Sequence, residues 1–138
     1  MAQITDLKTI TRPSSPNTYL VAPDGYCTNA QPDEAPPVFD ASPATLYETV
    51  NALASSQSRW TTEASAPDTR HLEVVAATKI LKFRDDITID VLDAENHPGK
   101  STLAIYSRSR VGYSDLGANK KRVQKLLKDI ESELGKSP

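Results

Sequence analysis

Apolar residues recur at helical spacing in two stretches of the chain. Before the first stretch, Ser42 is placed to cap a helix and Pro43 suits its first position. The second stretch begins near Ala118 and meets Gly135 where a helix end is expected. The apolar stripes consist of Leu46, Tyr47, Val50, Leu53 and Ala54 in the first, and Val123, Leu126, Leu127, Ile130 and Leu134 in the second. Two amphipathic helices are therefore predicted, the first fading at residues 55–56.

Between the predicted helices, four segments show the apolar–polar alternation of β-strands. These segments are RWTTEAS, HLEVVAATKILKF, ITIDVL and STLAIYSRSRV. The apolar face changes within the second segment, which predicts a twist or bulge at residues 78–82. Short turns predict an antiparallel meander, and matching inward residues across the last hairpin places Asp86 opposite Arg108. An ion pair between those two side chains would contribute about 0.2–1 kcal/mol.

The first forty residues follow neither pattern. Six of the ten prolines lie between Pro13 and Pro37, and proline removes backbone donors and fixes φ. Apolar clusters at residues 19–21 and 38–39 favour a segment draped over the domain, with a free tail as the alternative. We predict an irregular segment over 1–40 and one α+β domain over 41–138. In that domain both helices cover one face of a four-stranded antiparallel sheet, and the other face is open.

Composition limits the class of protein. A length of 138 residues fits one domain. Hydrophobic residues make up 38% of the chain, and the share is the same if Gly is counted instead of Tyr, because the chain has five of each. The usual share of apolar residues, counted with Gly, is about 45–50%, so a modest core is predicted. The net charge of −2 gives no general case for binding nucleic acid or an anionic membrane. The single cysteine, Cys27, excludes an intrachain disulfide and a thiolate metal cluster.

The sequence contains no targeting signal that would assign a compartment. No apolar run approaches the roughly 18 residues of a membrane span, and the first residues lack the apolar core of a signal peptide. As written, the chain is expected to be soluble and cytoplasmic, without a membrane span. A sequence trimmed of a targeting segment would look the same, so the localisation stays unknown.

Positive charge is concentrated in residues 107–122, where the last strand runs into the last helix. This stretch contains five basic residues and one acid. A helix start carries a partial positive charge, so Lys120, Lys121 and Arg122 are at the unfavourable end. Either these side chains point into water, where salt screens them, or the helix start and the nearby arginines converge on an anion. Both interpretations remain open.

Three motifs, RPSSPNTYLVAP, ILKFRDDITIDV and above all STLAIYSRSRVGYSDLGANKKRV, give the chain a recognisable signature from about Arg12 to the last helix. On these motifs the chain resembles the family catalogued as domain of unknown function 1499, uncharacterised proteins of bacteria and plastids. Many relatives follow a signal or membrane segment, and many have a cysteine where this chain reads SPNT, so a cysteine-dependent role is not expected here. The resemblance implies a functional set without assigning roles: Arg108, Arg110, Ser114, Asp115, Gly117 and Asn119.

The candidate anion- or partner-binding residues combine that set with neighbouring aromatic and basic side chains. They are Tyr106, Arg108, Arg110, Tyr113, Ser114, Asp115, Gly117, Asn119 and Arg122. No catalytic residue, metal ligand or cofactor is predicted, because the sequence has no nucleophile elbow, phosphate-binding glycine loop or zinc motif. His71 and His97 are interpreted as surface residues, Cys27 as a small buried or half-exposed thiol, and Trp60 and Phe83 as core.

The favoured function is a non-catalytic binding or interaction module. It would use the basic open sheet face and the strand-to-helix junction to engage an anionic partner protein or a small anionic ligand. Sequence-specific nucleic-acid binding is not expected, because no base-reading motif is present. Two alternatives remain open: a small-molecule carrier or hydrolytic enzyme with a pocket between the sheet and residues 1–40, and a structural subunit of a larger assembly.

Overall fold

A computed structural model describes residues 4–78 and 83–135, and within them two helices pack on a five-stranded antiparallel sheet. The strands are β1 (Thr18–Val21), β2 (Trp60–Ala66), β3 (His71–Ala77), β4 (Arg84–Asp93) and β5 (Ser101–Ser109), and the helices are α1 (Pro43–Ser56) and α2 (Ala118–Leu134). The strand order across the sheet is β1-β5-β4-β3-β2. The α+β class predicted from the sequence is confirmed.

The sheet has one strand more than the four that the sequence predicts. The additional strand, β1, lies inside the proline-rich segment and pairs with β5, from Thr18 opposite Arg108 to Val21 opposite Ile105. Its side chains alternate, because Tyr19 and Val21 join the core under the helices while Leu20 faces the other way. Four residues between prolines are too few for this alternation to stand out in the sequence.

The register of the last hairpin agrees with the prediction. Asp86 lies opposite Arg108, and Ile89 lies opposite Ile105. A bulge does occur in the sheet, but between β2 and β3, where the register shifts between Thr62 and Ala64. Of residues 78–82, where the sequence predicts a bulge, 79–82 lie outside the described residues.

The predicted helix boundaries are also found. Ser42 caps α1 by accepting a hydrogen bond from the Thr45 N–H at 3.2 Å, with Pro43 at the first helical position. α2 ends at Gly135, whose φ of 79° suits only a residue without a Cβ. None of the described helices is long and apolar enough to cross a membrane.

The larger hydrophobic core lies between the two helices and one face of the sheet. The fully buried Leu46 and Ile130 bring α1 and α2 onto Ile87 and Ile105 of the central strands. Phe39, just before α1, completes this layer and is also fully buried. Both helices therefore cover the same face, as the sequence predicts.

The opposite face of the sheet is covered by the N-terminal segment, so the prediction of an open face is wrong. Leu7 and Cys27 of that segment pack with Leu20, Ala104 and Tyr106 of β1 and β5 in a second apolar cluster. Leu7, Leu20 and Ala104 have no exposed surface. Prolines prevent a repeating hydrogen-bond pattern but not burial, because an irregular chain can still place single apolar side chains on a sheet.

Replacing Leu7 by alanine tests whether this segment belongs to the cooperative fold. Leu7 is fully buried, so Leu7→Ala should lower the free energy of unfolding in urea by about 2–5 kcal/mol. Ile4→Ala is the matched control, because Ile4 is 58% exposed and its loss should change the free energy by no more than about 0.5 kcal/mol. Equal, small effects of both variants would contradict the packing described above.

Candidate functional site

The candidate site is the junction loop, residues 110–117, which joins β5 to α2 and is anchored by Asn119. This asparagine has no exposed surface. Its Nδ2 lies 3.0 Å from the backbone oxygen of Asn17, 3.0 Å from Ser109 Oγ and 2.7 Å from Asp115 Oδ2, and its Oδ1 accepts from Ser107 Oγ at 2.6 Å and Arg122 Nη1 at 2.9 Å. Asn17 Nδ2 in turn donates to Gly112 O at 2.7 Å. The loop is thereby tied to β5, α2 and the N-terminal segment at once.

Asp115 caps the start of α2. Its carboxylate accepts hydrogen bonds from the N–H groups of Gly117, at 2.8 Å, and Asn119, at 3.0 Å. Although burial opposes its ionisation, these two N–H groups and the Asn119 amide hold the pKa of Asp115 below its usual value. Two of the N–H groups that an external anion would use at this helix start are therefore already occupied by the protein's own carboxylate.

Arg108 belongs to the layer between the sheet and the N-terminal segment. Its guanidinium lies 4.8 Å from the centre of the Tyr106 ring and donates to Thr88 Oγ1 at 2.8 Å and Thr5 Oγ1 at 3.2 Å. Burial lowers the pKa of Arg108 from its ordinary value. Tyr106 is only 5% exposed, so it stacks on this arginine and has no free face for a ligand ring.

Arg110 forms the ion pair that the sequence assigns to Arg108. Its Nε and Nη2 donate to the two carboxylate oxygens of Asp86 at 2.9 and 2.8 Å. Arg110 lies diagonally across from Asp86 on the same face of the β4–β5 pair, within reach of a long side chain. The pair leaves the Arg110 side chain 43% exposed.

Arg122 lies on the other side of the sheet. Its Nη2 is 2.8 Å from Oδ2 of Asp85, whose side chain is only 4% exposed. Asp85 and Asp86 are successive residues of β4, so their side chains point to opposite faces. The predicted set is therefore divided, with Arg108 and Arg110 on the N-terminal-segment side and Arg122 on the helix side.

The junction loop presents large apolar side chains to solvent. Val111 is 54% exposed, Tyr113 72% and Leu116 89%. Phe83 is 49% exposed, which contradicts its interpretation as core, and it adjoins the loop because Arg110 N donates to the backbone oxygen of its neighbour Arg84 at 3.1 Å. We call Phe83, Val111, Tyr113 and Leu116 the apolar rim. They are four of the five large hydrophobic residues exposed in the described parts of the chain.

Positive charge without an ion-pair partner among the described residues lies at the same end of the domain as the apolar rim. The exposed side chains of Arg84, Lys120 and Lys121 have no ion-pair partner among the residues that the structure describes. Three nearby carboxylates are already used: Asp85 by Arg122, Asp86 by Arg110 and Asp115 by the helix start. Glu34 lines the same groove as Lys121 and accepts hydrogen bonds from Tyr19 and Gln124. Glu63 is one more acid within electrostatic reach of Arg110.

A polar cavity of about 480 Å³ lies beside the loop. The Pro-Ser-Ser-Pro stretch at residues 13–16 forms one wall, and Ser114, Asp115 and Lys120 form another. Arg12 and Asp33 also line the cavity but pair with each other at 2.7 Å. The cavity thus brings two of the three sequence motifs together, and Ser114, one of the predicted residues, is exposed at its edge.

Sequence reasoning missed a buried charged cluster on the face of the sheet that packs against the N-terminal segment. His71 is 7% exposed; its Nδ1 contacts Asp90 Oδ1, and its Nε2 lies 2.7 Å from Glu73 Oε2. The hydrogen bonds to Asp90 and Glu73 raise the pKa of His71 to about 9, so the ring is charged at neutral pH and both nitrogens donate. Such a ring has no lone pair for a metal or a proton. Thr88 Oγ1 and the Thr5 N–H complete the contacts of Glu73 at 2.6 and 2.7 Å.

One signal for this cluster was present in the sequence. His71 and Glu73 are two residues apart in a strand, so they share a face. Asp90 lies in the neighbouring strand β4, directly opposite His71, and that pairing requires the register between β3 and β4. Across the described residues, no group of three or more His, Cys, Asp or Glu side chains is placed to hold a metal ion.

The comparison with protein families finds a match over most of the chain. The family model described as "Protein of unknown function (DUF1499)" matches residues 8–130. The match includes the junction loop, the stretch at 13–16 and the His71 cluster. No curated protein matches the chain.

The stability of the fold should depend on the charge of His71. Because its pKa is raised in the folded state, its contribution is fully present below a pH of about 6.5 and is lost as the pH rises through about 9. Urea unfolding between pH 6 and pH 9 should show a falling free energy, with a slope of at most about 1.4 kcal/mol per pH unit from this proton. His71→Gln should flatten the curve, and an unchanged slope in that variant would contradict the assignment.

Leu116 should be replaceable without loss to the fold. Its φ of 54° lies in the left-handed region, which costs a residue with a Cβ about 1–2 kcal/mol, and its exposure leaves almost no burial to offset that cost. Leu116→Gly should therefore leave the free energy of unfolding in urea unchanged or raise it by up to about 1 kcal/mol. Leu116→Ala, which keeps the Cβ, should stay within about 0.5 kcal/mol of the parent. A clear loss in both variants would show that the leucine serves the fold.

Proposed function

The chain belongs to this family of unknown function, and we propose that it is a non-catalytic binding module that docks on an anionic partner. Docking takes place at one end of the domain, where the apolar rim meets Arg84, Lys120 and Lys121. We call these seven residues the docking end. The observation that supports the proposal is the coincidence at one end of four exposed apolar side chains and three cations that have no ion-pair partner among the described residues.

The charge of the docking end supports an anionic partner. The protein as a whole has a formal net charge of −2, yet three acids close to the junction loop, Asp85, Asp86 and Asp115, are engaged within the fold. Arg84, Lys120 and Lys121 therefore keep their charge without an ion-pair partner among the described residues. A local positive field on a slightly acidic protein orients an approaching anionic surface toward one end and raises the rate of encounter.

The apolar rim supports docking on a macromolecule rather than capture of a small ion. Exposed apolar patches bordered by polar residues mark contact sites on soluble proteins. Leu116 gains neither burial nor a favourable backbone conformation from the fold. A leucine at such a position is best explained by a contact outside the molecule.

The engagement of the polar groups supports a non-catalytic role. Asp115 caps a helix, Asn119 uses both ends of its amide, and Arg122 is paired. His71, the one buried histidine among the described residues, holds a proton on each nitrogen between two carboxylates. These side chains stabilise the structure and have no capacity left for general acid–base work.

The second apolar cluster weighs against the alternative of a carrier or hydrolytic enzyme. The pocket of such a protein was expected between the sheet and residues 1–40. Over the sheet, Leu7, Cys27 and Tyr106 fill that space, and the cavity at residues 13–16 lies beside the junction loop. A structural subunit remains an alternative that no contact among the described residues favours. The docking end keeps the strand-to-helix junction of the sequence-based hypothesis and drops the open sheet face.

Binding to an acidic polypeptide tests the proposal. Labelled poly-glutamate at low salt should bind the protein, and Lys120→Glu with Lys121→Glu should weaken that binding at least about tenfold in fluorescence anisotropy. Binding should also fall as salt approaches about 0.1 M, where the screening length is about 10 Å.

The matched control lies further along the same helix. Lys125→Glu with Lys128→Glu introduces the same change in net charge one to two turns further along α2, and should weaken binding less than Lys120→Glu with Lys121→Glu does. Equal losses in the two double variants would contradict a localised docking end. Failure of the parent protein to bind poly-glutamate at low salt would exclude an acidic polypeptide as the anionic partner.

A further inference from the structure

We propose that the partner of the docking end is the surface of an anionic lipid bilayer. The apolar rim inserts between headgroups while Arg84, Lys120 and Lys121 contact their negatively charged groups. This inference rests on the proposed function and names the class of its partner. It concerns peripheral contact at a bilayer surface.

The shape of the apolar rim favours a bilayer over a protein. Side chains as exposed as Tyr113, at 72%, and Leu116, at 89%, project from the molecule and touch little of it. A protein partner would need pockets matched to each of them and about 800 Å² of complementary surface on each side. A bilayer surface accepts projecting apolar groups without prepared pockets.

The residue types fit the layers of a membrane surface. Leu116 and Val111 suit the boundary of the acyl chains, and Tyr113 combines an apolar ring with a hydroxyl that suits the headgroup layer. Lys120 and Lys121 follow Leu116 within the first turn of α2. Lysines at that position reach anionic headgroups when the loop is inserted, as basic residues beside a membrane surface do.

The hydrogen bonds at both ends of the loop lower the cost of insertion. The Asn17 side chain holds the backbone oxygen of Gly112, and Asp115 and Asn119 hold the other end of the loop. The loop therefore presents its apolar residues without first having to be ordered on the membrane. The overall charge of −2 opposes approach by other surfaces of the protein, so attachment should occur at this end.

Vesicle co-sedimentation tests the inference directly. The full chain should sediment with vesicles of phosphatidylcholine and phosphatidylglycerol in equal parts, and at least tenfold less with vesicles of phosphatidylcholine alone. Tyr113→Ser with Leu116→Ser should reduce binding to the anionic vesicles at least tenfold. Lys120→Glu with Lys121→Glu should do the same, and Ile4→Ser, at an exposed apolar residue outside the docking end, should leave it unchanged.

A fluorescence readout separates insertion from simple attraction. Tyr113→Trp in a Trp60→Phe background places the reporter on the loop. Its emission should shift to the blue on anionic vesicles and be quenched by brominated acyl chains. Thermal unfolding of each variant in the absence of lipid shows whether the fold is kept. If Tyr113→Ser with Leu116→Ser unfolds at a lower temperature than the parent protein, the single substitution Leu116→Ser replaces it.

Each outcome decides the inference. Anionic-vesicle binding that needs both the rim and the lysines supports it. Binding to poly-glutamate without binding to anionic vesicles overturns it and leaves an acidic protein as the partner under the proposed function. Vesicle binding that survives the loss of Tyr113 and Leu116, or that shows no blue shift, also overturns it. If the protein binds neither poly-glutamate nor anionic vesicles, the inference and the proposed function are overturned together.

Discussion

The buried amide of Asn119 is the interaction on which the docking end depends. An amide without exposed surface must have its hydrogen bonds satisfied within the protein, since an unpaired buried polar group costs about 1–3 kcal/mol. Its partners come from β5, from the junction loop, from the first turns of α2 and from the N-terminal segment. One residue therefore fixes β5, α2 and the N-terminal segment relative to each other, and residues 110–117 are left to project between them.

The same local constraint explains why positive charge stays unpaired at an unfavourable place. Asp115 is drawn to the N–H groups of the helix start, and Asp85 and Asp86 are drawn to arginines on opposite faces of β4. None of these carboxylates is then free to compensate Lys120 and Lys121. Cations at a helix start are destabilising by about 0.3–1 kcal/mol each when exposed, a cost that a contact with an anionic partner would offset.

The elements whose signals are local could be predicted from the sequence, and those that depend on distant partners could not. Alternation alone gave the register that puts Ile89 opposite Ile105, because a slip of one residue would turn every side chain to the wrong face. The strand at 18–21 could not be predicted because its pairing partner is almost ninety residues away. Charge singled out Arg108, but its burial depends on an irregular segment whose path no periodicity encodes. The exposure of Leu116 depends on a positive φ, and a leucine in the sequence does not indicate that conformation.

Burial of both faces of the central strands leaves the edges and ends of the sheet, together with the outer surfaces of the helices and of the N-terminal segment, for any external contact. The β1 edge is bridged by Glu34, and the β2 edge is interrupted by its bulge, a feature that discourages pairing with another strand. At one end, the turn between β4 and β5 exposes the small or polar residues Glu95, Asn96 and Gly99. The opposite end exposes the apolar rim. Because the fold leaves large apolar groups and exposed cations at that end, the docking end is the surface from which an external contact has most to gain.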